Sequence, residues 1–263
     1  MPPDKLLVTR EGALARWIIN DPPRRNALND QIVGALMQAC REAADDAALR
    51  VIVLSGAGGS FCSGGSLDGF AQLVGHPLPE GETDPLIDMS MRFGDLLRAL
   101  CALPQVFIVA IDGPAMGGGF GIACCADFCI ANHRALFGTP EVTLGIVPAQ
   151  IAPVVWRRLG DRTARQLLLQ GGHFSAAEAQ AMGLVDQLAD DVLAAADDLI
   201  GRLTRAEPAA LAATKHLLNR ISTDAMPDVR AEAAQAFASS LRTPQALHGL
   251  HAFAEKRKPG WAA

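Results

Sequence analysis

Glu141 and two glycine-rich segments are the parts of this chain whose residue types could do chemistry. The carboxylate follows Pro140 and lies among Phe137, Val142, Leu144 and Ile146. Apolar neighbours withdraw water from a carboxyl group, favour its neutral form and bring its pKa toward the range useful for proton transfer. Helix capping or a structural ion pair would account for the same residue, and both readings stay open here. The first glycine segment runs GAGGSFCSGGSLDGF over 56–70, with six glycines and three serines; the second is Met116-Gly117-Gly118-Gly119. Glycine admits a ligand oxygen to a backbone N–H with no Cβ in the way. If Gly64-Gly65 leaves one strand and Gly117-Gly118-Gly119 opens a helix after the next, each loop aims one N–H at a common point. The helix dipole adds positive potential there. That arrangement is an oxyanion hole for a thioester or similar carbonyl. Taken singly, either loop is equally a tight turn between packed elements.

Other chemistries fit less well. Neither loop ends in Gly-Lys-Ser/Thr, and Gly117-x-Gly119 is followed three residues later by Ile122, so nucleotide-phosphate fingerprints are missing. The histidines at 76, 133, 173, 216, 248 and 251 fall in turns or on polar helix faces, with no i,i+4 pair on an apolar face. Six cysteines (Cys40, Cys62, Cys101, Cys124, Cys125, Cys129) sit mostly in apolar runs without paired C-x-x-C spacing, so reduced buried thiols and no metal are expected. With 23 Lys+Arg against 28 Asp+Glu the net charge is −5, and no basic run offers a stripe for nucleic acid. The longest apolar runs stop at Asp112 and Asp127, well short of the ~18 residues of a membrane span. The N-terminal segment has no signal or transit pattern, which makes the cytoplasm the expected location.

The elements that must position these groups read as α/β. A hairpin is expected from Leu6–Thr9 and Ala15–Ile19 about Glu11-Gly12. Apolar residues recur at three and four from Ala27 to about Ala44, predicting a helix, and Val51–Leu54 then reads as a strand buried on both sides. A second helix over about 86–103 leads to the strand Val106–Ile111 and the second glycine turn. Helix, buried strand and glycine-rich turn thus occur twice. Beyond Ala152 the expected helices are Arg162–Gln170, Ser175–Met182, Ala189–Thr204 and Pro208–Ile221, with two more amphipathic segments after them. Ser175 and Glu178 fit a capping box, and Gly183 its stop.

In order and spacing, these segments resemble the enoyl-CoA hydratase/isomerase, or crotonase, family over essentially the whole chain. The matching pieces are Arg25-Asn26-Ala27-Leu28, Phe61-Cys62-Ser63-Gly64-Gly65 and Ile111-Asp112-Gly113-Pro114-Ala115-Met116-Gly117-Gly118-Gly119. To these are added Phe137-Gly138-Thr139-Pro140-Glu141-Val142-Thr143-Leu144-Gly145 and the tail Phe253-Ala254-Glu255-Lys256-Arg257-Lys258-Pro259. The resemblance implies an α/β, crotonase-like spiral of ββα repeats over 1–205 and a C-terminal helical oligomerisation region over 206–263, packing homotrimers or dimers of trimers. It implies that Gly65 and Gly118 supply the oxyanion-hole N–H groups and that Glu141 is the catalytic acid–base. Ala27, the loop Cys62-Ser63-Gly64-Gly65-Ser66-Leu67 and Gly117-Gly118 would line the coenzyme A and acyl path, with Lys256 near the coenzyme's phosphates. No cofactor is implied, coenzyme A being part of an acyl-CoA substrate.

Two positions depart from the family pattern. Family hydratases commonly carry a glutamate two residues after the triple glycine, where this chain has Gly121, and an acid after the first oxyanion glycine, where it has Ser66. One carboxylate of two is therefore absent. The run Gly145-Ile146-Val147-Pro148-Ala149-Gln150-Ile151-Ala152-Pro153 looks like that of isohexenylglutaconyl-CoA and 3-methylglutaconyl-CoA hydratases. The expected reaction is hydration of an α,β-unsaturated acyl-CoA, with a branched or glutaconyl-type acyl group. Isomerisation by the single glutamate, and acyl-CoA binding without chemistry, remain the alternatives.

Overall fold

Val51–Leu54 and Val106–Ile111 contain no polar residue because both faces of their strands are covered. In β3 (Val51–Gly56) Ile52 and Leu54 point into one core while Val51 and Val53 point into another; in β4 (Val106–Ile111) Phe107, Val109 and Ile111 face the first and Val106, Ile108 and Ala110 the second. Side chains alternate along a strand, so a two-sided sheet demands an unbroken apolar run. The computed structural model describes residues 4–66, 71–78, 81–224 and 228–262. Its larger sheet has the order β1 (Leu6–Glu11), β2 (Leu14–Ile19), β3, β4, β6 (Phe128–Ala131), β9 (Gln187–Leu188), and its smaller one β5 (Ala115–Met116), β7 (Leu136–Gly138), β8 (His173–Ser175). β1 (Leu6–Glu11) and β2 (Leu14–Ile19) form the expected antiparallel hairpin, and β2, β3, β4, β6 (Phe128–Ala131) and β9 (Gln187–Leu188) run parallel.

The connections wind as a spiral. From β2, β3, β4 and β6 the chain crosses to a short pairing segment in the second layer and returns through a helix. β2 leads to Leu28 and then α1 (Asp30–Ala44); β3 leads to Cys62 and Gly65 and then α2 (Pro85–Ala102). β4 leads to β5 (Ala115–Met116) and α3 (Gly118–Cys125); β6 leads to β7 (Leu136–Gly138), a 3-10 turn (Pro140–Leu144) and α4 (Ile151–Gln170). Successive turns are stitched together in this layer by the pairs Leu28 with Gly65, Cys62 with Ala115, and Met116 with Gly138. This is the expected crotonase-like α/β fold. β8 (His173–Ser175), α5 (Ala176–Ala181) and α6 (Val192–Leu203) complete the spiral, with the Ser175–Glu178 capping box formed and Gly183 just beyond it at φ 85°.

The last helices, α7 (Pro208–Asp224), α8 (Arg230–Leu241) and α9 (Pro244–Ala254), pack back onto the core. Buried Lys215 on α7 donates to Asp127 Oδ2 (2.6 Å) and Gln105 O (2.5 Å). Arg242 donates to both oxygens of buried Asp84, the N-cap of α2. Val74, Leu86, Ile146, Ala238, Leu241, Ala246 and Leu250 form a satellite core beneath α8 and α9, with Leu73 and Met89 packed on it. Among the described residues no helix is long and apolar enough to cross a membrane.

Three helices start where the sequence did not put them. α6 begins at Val192, not Ala189, because Asp191 caps it by accepting from Leu193 N and Ala194 N. α1 begins at Asp30, not Ala27, because Arg25 and Asn26 are left-handed (φ 50° and 56°) and Leu28 is drawn into pairing with Gly65; Asn29 then caps the helix through Ile32 N. α4 begins at Ile151, with Pro153 tolerated in its first turn, and only its break at Gly160 (φ 76°) left Arg162 looking like the start. His173, expected in a turn or on a helix, lies exposed in β8.

Asn26 explains why the first glycine loop lies beside the first turn. Fully buried, it accepts from Asp21 N (2.8 Å) and donates to Ala57 O (2.9 Å) and Ser60 O (2.6 Å), while Ser63 N donates to Arg25 O (3.0 Å). Asn26→Ala strands these partners and places alanine in a conformation that asparagine tolerates better. A loss of about 3 kcal/mol is expected from denaturant titration.

Candidate active site

The spiral brings the chemistry-bearing residues into adjacent turns. Gly64 accepts from Leu28 N (2.8 Å) and Ser66 N donates to Leu28 O (2.7 Å), which leaves the Gly65 N–H between them unused. Gly117 N donates to Gly138 O (2.9 Å), and Gly118 opens α3 as its first residue. Neither Gly65 N nor Gly118 N has an acceptor among the described residues. The Gly65 residue is exposed and Gly118 half-buried, so both donors are open to a ligand, and the second lies at the positive end of a helix.

Gly117 joins the two loops to the carboxylate. Its conformation, φ 49° and ψ −114°, excludes side chains, and so does its surroundings. A Cβ there would stand 2.8 Å from Glu141 Oε1 and 3.7 Å from the Gly64 Cα. Glu141 itself rides on the 3-10 turn that follows β7. Its Oε2 is buried with no hydrogen-bond partner among the described residues. Burial pushes its pKa from 4.5 up to about 7, and its own backbone N–H offsets this only in part. No charged neighbour contributes, so desolvation alone makes it a group that can both take and return a proton near neutrality.

Apolar side chains wall this point. A Cβ on Gly118 would lie 2.7 Å from Leu28 Cδ1 and 3.0 Å from Phe93 Cζ. At Gly121, where a second acid was absent from the sequence, a Cβ would overlap Ile151 Cγ2 and stand 3.1 Å from Ile151 Cβ. The place is filled, not vacant. Gly121→Glu should therefore destabilise the protein by about 2 kcal/mol or more through overpacking and a buried charge, and Ile151→Ala in the same chain should recover part of that. Thermal unfolding of the single and double variants checks it.

Other sequence candidates are distributed unevenly. Ala27 and Ser66 are half-buried in the paired segment beside Gly65, and half-buried Ser63 donates its hydroxyl to Arg24 O. Leu67 lies outside the described residues. Cys62, in the loop expected to line the ligand path, is fully buried: its Sγ accepts from Gly64 N (3.4 Å), and a Cβ on Gly119 would meet its Cβ at 2.6 Å. Burial pushes its thiol up to about 12. Lys256 is exposed beyond α9. Its neighbours Arg257 and Lys258 line a cavity of about 410 Å³ with Val142, Thr143 and Leu144 of the Glu141 turn. Leu28, Phe93 and Ile151 were not singled out from sequence, since apolar residues at helical spacing read as ordinary core.

Comparison with known proteins gives one answer. A family model described as enoyl-CoA hydratase/isomerase matches residues 9–263. The chain is 30% identical to the 2,3-dehydroadipyl-CoA hydratase of Escherichia coli K12 over 97% of both chains. An enoyl-CoA hydratase/isomerase structure from Marinobacter aquaeolei is 39% identical, with a TM-score of 0.78 over 99% of this chain and 100% of that one. An enoyl-CoA hydratase structure from Mycobacterium avium is 30% identical, with a TM-score of 0.85 over 98% and 99%.

Proposed function

Because the chain belongs to the enoyl-CoA hydratase/isomerase family, we propose that it adds water across the α,β double bond of an acyl-CoA thioester. The observation that carries this reading is the Glu141 carboxyl beside Gly117, its Oε2 buried and unpartnered, with the unused N–H donors of Gly65 and Gly118 on the residues that follow Gly64 and Gly117. In the scheme, the two N–H groups hold the thioester oxygen. Ionised Glu141 removes a proton from water as its oxygen bonds to C3, and the electron pair moves through C2 onto the thioester oxygen. The enolate then collapses and the same carboxyl delivers the proton to C2, on the same face. With Gly121 and Ile151 where a second acid would act, one carboxyl serves both steps, and a pKa near 7 suits it to both. The reaction needs no cofactor beyond the coenzyme A carried by the substrate.

The pH profile tests the scheme. Since Glu141 must start ionised, kcat/KM for crotonyl-CoA hydration should fall tenfold per pH unit below about 7 and level off above it. Loss of the conjugated thioester absorbance follows the reaction. A flat profile from pH 5.5 to 8 would remove Glu141 from the mechanism.

The lone carboxylate also favours a second reading, migration of the double bond by proton removal at C2 and return at C4. A 3-enoyl-CoA separates the two, because isomerisation raises the conjugated absorbance that hydration consumes. For the acyl group we favour a branched or glutaconyl-type chain, supported by the likeness of the 145–153 run to hydratases of that class. A kinetic series of straight and branched enoyl-CoAs tests it. A homotrimer or dimer of trimers in the cytoplasm completes the proposal. Exposed Leu217, Leu218 and Ile221 on α7 support the assembly, and sedimentation measures it.

A further inference from the structure

The turn that carries Glu141 has almost no core of its own. No residue of Pro140–Leu144 is buried as a whole, although the carboxyl end of Glu141 is, and Gly145 closes the turn in a left-handed conformation at φ 76°. Its position is imposed from outside. On the N-terminal side buried Thr139 donates its hydroxyl to Leu167 O (3.0 Å) and its N–H to Gly172 O (3.1 Å). On the C-terminal side the turn meets the last two helices. Ile146 N donates to Glu141 O (2.9 Å), and the Ile146 side chain belongs to the satellite core shared with Ala246 and Leu250 of α9. Val147 N donates to Ser240 Oγ on α8 (3.2 Å).

The closest approach is backbone on backbone. A Cβ on Gly249, in the middle of α9, would overlap the Leu144 carbonyl oxygen and stand 2.7 Å from the carbonyl carbon. One on Gly145 would stand 3.2 Å from Ala246 N. Gly249 has ordinary helical φ, a setting where alanine is intrinsically preferred, so contact rather than conformation is what glycine serves there. α9 cannot simply lift away, because buried Ala246, Leu250 and Ala252 fix it on both sides of position 249. We propose that Gly249 is a positioning residue: its missing side chain lets α9 rest on the Leu144 backbone and thereby holds the Glu141 carboxyl against Gly117.

The ionisable groups on the packed elements are His248 and His251 on α9, Arg257 and Lys258 just beyond it, Arg230, Glu232 and Arg242 on or beside α8, and Arg157, Arg158, Asp161, Arg162 and Arg165 on α4. β5 and α3, on either side of Gly117, contribute only Cys124 and Cys125, whose thiols burial pushes up and so keeps neutral. Glu141 titration is set by burial and its own backbone, not by any of these charges. Moving the turn therefore acts through solvent access: a carboxyl displaced from Gly117 meets water and titrates lower.

The role rests on the proton transfer proposed above, but its geometry is testable without turnover. In protein carrying 13C-labelled glutamate, the Glu141 carboxyl resonance should titrate near 7 in the wild type and at least one pH unit lower in Gly249→Ala. Its kcat should fall at least tenfold, with KM changed less than threefold. Gly34→Ala on α1, where a Cβ meets nothing within 4 Å, should leave both readings unchanged. Ser240→Ala, which removes the acceptor for Val147 N, should move the midpoint in the same direction by less, and carries the test if Gly249→Ala does not fold. An unshifted midpoint in the folded variants overturns the positioning role and leaves the hydratase reading intact. A shifted midpoint in a protein whose wild type turns over no enoyl-CoA sustains the positioning role and overturns the hydratase reading.

Discussion

Glu141→Gln is expected to lower kcat by about 10³–10⁴-fold, because one carboxyl both removes and returns the proton and the amide can do neither. The same substitution should make the protein more resistant to unfolding at alkaline pH. The sign follows from burial. Desolvation raises the folded-state pKa from 4.5 to about 7, so the native state holds the proton more tightly than the unfolded chain. Below 4.5 the group is neutral in both states and burial adds no cost of charge. Stability is then lost as pH rises from 4.5 to 7, and the full cost persists above that. Between pH 5 and pH 8 the wild type should lose about 2.5 kcal/mol that the glutamine variant keeps. Glutamine still buries a polar group where Oε2 finds no partner, so the variant's absolute advantage at pH 8 is smaller than the change with pH. Denaturant titrations of both proteins at the two pH values, alongside hydration rates, measure the two effects. A stability difference that does not vary with pH, or activity within tenfold of wild type, would contradict the role given to this carboxyl.

The residues that proved legible in the sequence are those whose local chemistry leaves few choices. Val106–Ile111 is a strand at both ends as read, because six consecutive apolar residues between Pro104 and Asp112 suit only a strand covered on both faces. The Ser175–Glu178 box and the Gly183 stop are likewise local, each satisfied within a few residues. Glu141 was legible for the opposite reason: a carboxylate among apolar residues conflicts with ordinary solvation, and such conflicts gather at functional sites. The short strands β5, β7 and β8 could not be read. Their two or three residues pair only after the spiral has stacked its turns, and no periodicity shows in so few positions. Position 151 was hidden in the same way. Nothing near Ile151 in sequence indicates that its side chain fills the space beside Gly121; that depends on how α4 crosses α3.

Gly65→Pro and Gly65→Ala should separate the backbone donor from the residue that carries it. The neighbouring pairing with Leu28 uses Gly64 O and Ser66 N, not the Gly65 N–H. A Cβ at 65 meets nothing within 4 Å, and its φ lies outside the left-handed region. Alanine keeps the N–H at little steric cost and should retain activity within a few-fold. Proline deletes that donor and sets its ring Cδ where the hydrogen pointed, after a glycine able to accommodate the ring, and should lower kcat by about 10²–10³-fold. Position 118 offers no such clean comparison, because a Cβ there meets Leu28 and Phe93. The contrast therefore separates the face of the loop that carries the N–H from the open space beside the Gly65 Cα. Equal losses in the two variants would mean that space at this loop, and not its N–H, is what the reaction requires; full activity in the proline variant would mean that the thioester oxygen is held elsewhere.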